Sequence, residues 1–100
     1  MFDIEAELKK LPKTPGVYMH KDSLGQVIYV GKAVNLRNRV RSYFRSQGQA
    51  DPKVRAMVAN VAEFDYINCA TEMEALILES NLIKKYMPKY NILLKDDKTY

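Results

Sequence analysis

Tyr18 and Tyr29 stand in mirror order in the stretch GVYMHKDSLGQVIYVGK, residues 16–32, with Gly16 two residues before the first and Gly31 two residues after the second. A phenol hydroxyl can both donate and accept a hydrogen bond, so a pair of them on one surface could orient a water or hold an anionic oxygen. As a base a phenol is weak at neutral pH, its ordinary pKa being about 10. The second group able to do chemistry is cationic. From Gln26 to Ala50 there is no acidic residue, while Lys32, Arg37, Arg39, Arg41 and Arg45 all lie there. At about 100° per residue, Arg37, Arg41 and Arg45 form a ridge on one shoulder of an apolar stripe, and Arg39 sits beside Tyr43 on the other. A second acid-free run, Ser80 to Lys95, adds Lys84, Lys85, Lys89 and Lys95. Charge runs also mark solvated faces. Arginine along one helix favours phosphate, because the guanidinium fork matches two phosphate oxygens.

The third group is a carboxylate. In the segment TEMEALILESNLIKKY, Ala75, Leu76, Leu82, Ile83 and Tyr86 span one arc of a helix, and Glu79 falls near its middle. A carboxylate on an apolar face is costly unless paired, hydrogen-bonded or bound to a metal. Two readings follow: a salt bridge to an interior arginine, with Arg39 as the candidate, or a lone ligand to a cation that keeps several waters, as Mg²⁺ does.

The elements that must position these groups are legible from capping and periodicity. Asp22-Ser23-Leu24-Gly25 reads as a turn between two strands. A two-residue loop there pairs Gly16 with Gly31, Val17 with Val30, Tyr18 with Tyr29 and Met19 with Ile28. Val17, Met19, Ile28 and Val30 then form a core face, and the tyrosines a second face flanked by glycines that leave it open. Residues 3–11 carry Ile4, Leu8 and Leu11 at helical spacing. Asn35 caps a helix with the stripe Leu36, Val40, Tyr43 and Phe44. Asp51-Pro52 opens another, with Val54, Met57, Val58 and Val61. Residues 63–70 read as a third strand, Thr71 and Glu74 as a capping box for a helix to about Tyr86, and Met87-Pro88 as its stop. The expected product is an α/β (α+β) layer structure, a short three-stranded antiparallel sheet flanked by helices.

One hundred residues, 47% of them hydrophobic, make one domain, residues 1–100, with a single modest core. The net charge of +4 permits a polyanionic partner. A single cysteine, Cys69, excludes an internal disulfide and a Cys-rich zinc site, and reads as a small apolar strand residue. No apolar run approaches the ~20 residues of a membrane span, and a cytoplasmic protein is expected. Met19, Met57 and Met73 read as core filler, and His20, near the turn, as polar surface. Asp96 and Asp97 are adjacent and point apart on an extended segment, which disfavours a metal site there.

GVY at 16–18 and YVG at 29–31, followed by Lys32, Arg39, Glu79 and Asn91 in this order, resemble the motifs of the GIY-YIG nucleases, with Val in place of Ile in both tripeptides. GKAVNLRNRVRSYF and EALILESNLIKKYMPKYNILLKDDKTY further resemble the GIY-YIG domain of the incision subunit of bacterial nucleotide excision repair. The resemblance implies a divalent-metal-dependent DNA endonuclease that makes the 3′-side incision, with one Mg²⁺ or Mn²⁺ ion. It implies Tyr29 as general base or water-positioning group, Tyr18 as its hydrogen-bonding neighbour, Arg39 as phosphate clamp and Glu79 as metal ligand. Lys32, Tyr43 and Asn91 complete the implied site, while Arg37, Arg41, Arg45, Lys84, Lys85 and Lys89 are candidate DNA contacts. Strict alternation places Lys32 on the core face, so its participation requires the strand end to bend at Gly31. Damaged double-stranded DNA and a damage-recognition subunit of the UvrB type are the implied partners, and a longer protein continuing past Tyr100 is expected. The alternative is a module of the same fold that binds or docks without turnover.

Overall fold

In the computed structural model, which describes residues 2–45 and 51–95, the chain runs α1 (Ile4–Lys10), β1 (Gly16–Lys21), β2 (Val27–Ala33), α2 (Leu36–Tyr43), α3 (Pro52–Ala59), β3 (Glu63–Asn68), α4 (Glu72–Tyr86) and α5 (Lys89–Lys95). Helices α1 to α4 each start after a capping residue. Asp3 accepts from Ala6 N–H, Asn35 from Asn38 N–H, Asp51 from Lys53 N–H and Thr71 from Glu74 N–H. Glu74 in turn accepts from Ala70 N–H, closing the predicted capping box one residue early. Helix α4 ends with Met87 in the left-handed region at φ 45°. Beyond Pro88 the chain forms α5, a helix the sequence reading did not foresee, and β3 stops at Asn68 rather than at residue 70.

The sheet is antiparallel in the order β2-β1-β3, so β2 has one free edge. Its register differs from the sequence expectation by two residues. Asp22 and Gly25 do form the predicted turn, with Gly25 N–H donating to Asp22 C=O at 3.0 Å, but Gly25 adopts φ +81° and Asp22 N–H then bonds Gln26 C=O. That left-handed glycine adds one residue to the loop. A second irregularity between His20 and Lys21 adds another, because Lys21 pairs with Val27 while His20 pairs with Tyr29. Tyr18 therefore faces Gly31, Met19 faces Val30 and Gly16 faces Ala33, and Tyr18 does not face Tyr29.

Both faces of the sheet are covered. Val17, Met19 and Val30 pack with Cys69 and Ala75 under α4. Ile28, displaced by the bulge, leaves that face and joins Met57, Val61 and Tyr90 instead. The tyrosine face is also a core: Tyr18, only 2% exposed, packs with Leu8, Leu11, Ala33, Leu36, Val40 and Phe64. Contrary to the sequence expectation, the glycines do not open that face. A methyl group at Gly31 would overlap the end of the Tyr18 ring, and one at Gly16 would overlap Ile67 C=O and Leu36, so both make room for a buried neighbour. His20 is fully buried, contrary to its reading as surface, and Met73, 63% exposed, is no core filler.

Candidate active site

The free edge of β2 is where the chemistry-bearing residues meet. Tyr29 rises from β2 on the side covered by α2, which supplies Arg39 and Tyr43. Helix α4, from the opposite side of the sheet, supplies Glu79, whose charge is felt at the Tyr29 hydroxyl, as is that of Arg39. An open cleft of about 350 Å³ runs along this edge, bounded by Lys32, Val34, Asn38, Arg39, Ser42 and Glu72. Lys32 lies on the α4 face of the sheet, opposite Val17, as strict alternation requires. It is exposed nonetheless and reaches the cleft from an edge strand, so no bend at Gly31 is needed.

The tyrosines form one linked group. The Tyr18 and Tyr43 hydroxyls share a hydrogen bond of 2.6 Å. Tyr29 packs against both, with ring centroids 6.3 Å from Tyr18 and 6.2 Å from Tyr43. Burial, reinforced by Tyr43, pushes the Tyr18 phenol well above its ordinary pKa. Burial likewise raises Tyr29, with Tyr43 and Glu79 adding to the shift and Arg39 opposing it. Both are neutral phenols at pH 7.

Glu79 is half-buried and makes no hydrogen bond or ion pair among the described residues. Its pairing with Arg39, one of the two sequence readings, is therefore not formed. No cluster of three or more His, Cys, Asp or Glu side chains that could cage a metal occurs among the described residues. The donor set is one unpaired, half-exposed carboxylate whose charge reaches the Tyr29 hydroxyl.

Asn91, on α5, braces the same edge. Its side chain accepts from Val30 N–H at 2.7 Å and donates to Val30 C=O at 2.8 Å, replacing the strand that β2 lacks there. The remaining cations divide. Arg37 donates to the carbonyls of Leu11 and Lys9 at 2.7 and 3.0 Å, tying the end of α1 to α2, and Arg45 grips Glu5. Both are thus occupied within the fold. Arg41, bonded to Asn38, remains exposed. Lys84 and Lys85 occupy the last turn of α4, away from Ala75 and the cleft, and Lys89 lines a separate hollow beside the hairpin turn. The Lys95 side chain and the Asp96-Asp97 pair lie outside the described residues. Sequence reasoning missed Asn38, Ser42 and Glu72. Helical spacing held the signal, since Asn38 and Ser42 flank Arg39 and Glu72 lies two turns before Glu79.

A model of the UvrC-like GIY-YIG domain matches residues 14–92. The chain is 68% identical over its full length to UvrABC system protein C of Acetivibrio thermocellus and 66% identical to that of Clostridium novyi, spanning 16% of each. It is also similar to the crystal structure of the GIY-YIG N-terminal endonuclease domain of UvrC from Thermotoga maritima, bound to its catalytic magnesium. That likeness has a TM-score of 0.78 at 44% identity and covers 90% of this chain and 98% of that one. A point mutant of the same domain, also bound to its catalytic cation, matches with a TM-score of 0.78 at 43% identity.

Proposed function

We propose, from the premise that this chain belongs to the UvrC-like GIY-YIG domain family, that residues 1–100 form a single divalent-metal-dependent DNA endonuclease domain that makes the 3′-side incision in nucleotide excision repair. The observation that carries this reading is the unpaired Glu79 carboxylate set beside Tyr29 and Arg39 at the free edge of β2. One unpaired, half-exposed carboxylate suits a cation that keeps most of its waters, so the residues fit Mg²⁺ or Mn²⁺ held by Glu79. When bound, the cation offsets the charge that builds on the phosphate oxygens.

The chain's own groups account for the rest. Arg39, exposed at the cleft wall, clamps a non-bridging phosphate oxygen and gains strength as negative charge develops there. Lys32 adds a second positive charge on the approach to the phosphate. Because burial, Tyr43 and Glu79 all hold Tyr29 as a phenol, the role it supports is orienting the attacking water through its hydroxyl. The Tyr18–Tyr43 hydrogen bond fixes the rings that flank it. Arg39 and Lys32 at the cleft suit phosphate oxygens, so contact with DNA is through phosphate. Damaged double-stranded DNA is the substrate, delivered by a UvrB-type subunit through the rest of the protein. Among the described residues no helix is long and apolar enough to cross a membrane. Action on chromosomal DNA in a bacterium puts the protein in the cytoplasm.

Glu79→Gln tests the assignment. The domain should melt at or above the wild-type temperature, since an unpaired half-buried charge is removed. The full-length variant with its partner subunits should bind DNA normally and fail to nick in Mg²⁺. Nicking at the wild-type rate would sink the metal-ligand role.

A further inference from the structure

His20 is the residue of this fold that the proposed chemistry leaves unexplained. It is 0% exposed, and neither ring nitrogen has a hydrogen-bond partner among the described residues. A buried polar group left in that state costs free energy that an apolar residue would not, so its retention calls for a physical account. The surroundings supply one. Five aromatic rings enclose the imidazole: Tyr18, Tyr29, Tyr43, Phe44 and Phe64.

Two of these rings are the tyrosines beside Arg39 at the edge of β2. Tyr29 stacks on His20 with an interplanar angle of 23°, at 6.2 Å between centroids, and Tyr43 meets it edge-on at 4.9 Å. The cross-strand pair His20–Tyr29 exists only because the hairpin register is shifted by its two bulges. Tyr43 is thereby held at both ends, by His20 along its ring and by the Tyr18 hydroxyl at its tip. The Tyr29 hydroxyl interacts in turn with that of Tyr43, so its direction rests on where Tyr43 is held and on the rings around it.

We propose that His20 is a positioning residue, a flat ring packed against Tyr29 and Tyr43 that sets where the Tyr29 hydroxyl points relative to Glu79 and Arg39. This rests on the nuclease reading above. Its ring, and not its nitrogens, is the working part, because the nitrogens bond to nothing and the imidazole is neutral, its pKa lowered to about 3 by burial.

Two variants of the full-length protein separate shape from volume. His20→Phe keeps a ring and removes the orphan nitrogens; His20→Leu keeps a comparable volume without a planar face. Each is first shown to be folded at the assay temperature by its melt, and single-turnover incision in Mg²⁺ with DNA affinity is then measured. His20→Phe should incise within about threefold of wild type, while His20→Leu should be slower by on the order of 10- to 100-fold at unchanged DNA affinity, as a sub-ångström misplacement of an orienting group predicts. A wild-type rate in His20→Leu overturns the proposal. So does a loss in His20→Phe equal to that in His20→Leu, which would assign the role to the nitrogens. An unaltered protein that does not incise at all refutes the nuclease reading instead, so the two failures are distinguishable.

Discussion

Asn91→Ala should destabilise this domain more than almost any other single substitution outside its apolar core. Asn91 is 4% exposed and Val30 fully buried, and the two hydrogen bonds between them satisfy both backbone groups of Val30 on the free edge of β2. Truncation leaves a buried N–H and a buried C=O without their partner, at about 1–3 kcal/mol each. Water entering the vacated space recovers part of this, so a net loss of about 3 kcal/mol is expected. For a domain of this size that corresponds to a fall in Tm of roughly 12–24 °C. Asn91→Asp sharpens the test. It keeps the acceptor for Val30 N–H and sets a carboxylate oxygen against Val30 C=O, so it should be at least as harmful at pH 7 and recover partly as the pH falls and the acid can donate. Thermal melts followed by circular dichroism at pH 7 and pH 4 read all three proteins. An alanine variant melting within about 3 °C of wild type, under 1 kcal/mol, or an aspartate variant indistinguishable from wild type at pH 7, would refute the edge-brace reasoning.

Arg37→Ala and Arg39→Ala should part company. The first removes two charge-assisted bonds to α1 carbonyls and should cost about 2 kcal/mol in chemical denaturation. The second should leave stability within about 0.5 kcal/mol and lower the incision rate, and the reverse pattern would remove the clamp assignment. Gly31→Ala should cost about 1–3 kcal/mol, because the new methyl displaces the Tyr18 ring. A double-mutant cycle with Tyr18→Leu should recover much of that loss, and strict additivity would contradict the clash. His20, whose folded pKa of about 3 lies below the ordinary 6.5, binds a proton more readily when unfolded. Its contribution is fully present above pH 6.5 and is lost as the pH falls toward 3, by up to about 5 kcal/mol. His20→Phe should therefore show a shallower acid-unfolding profile than wild type, and coincident profiles would refute the burial of a neutral imidazole.

Much of this molecule is local, and local features are readable. The caps at Asn35, Asp51 and Thr71 announce their helices because a side-chain oxygen and the N–H two or three residues on are fixed by the same few bonds. Glu79 stood out for a related reason: helical periodicity places it on an apolar arc, and the cost of a bare carboxylate there does not depend on what packs against it.

What the sequence could not decide was which neighbour each side chain would meet. The hairpin shows why. One extra residue at Gly25 and another at Ile28 shift the register by two, and a shift of two returns the side chains beyond the bulge, from Tyr29 onward, to the face they would have had without it. The alternating pattern is blind to such a slip, so Tyr18 and Tyr29 were rightly placed on one face and wrongly placed opposite each other. Only the tertiary structure brought His20 against Tyr29, filled the hollow at Gly31 with the Tyr18 ring, and turned Arg37 inward to α1. Asn91 was decided in the same way. Its amide can mimic a missing strand only where α5 lies along an unpaired edge, and the free edge is a property of the strand order, which no stretch of the chain carries alone.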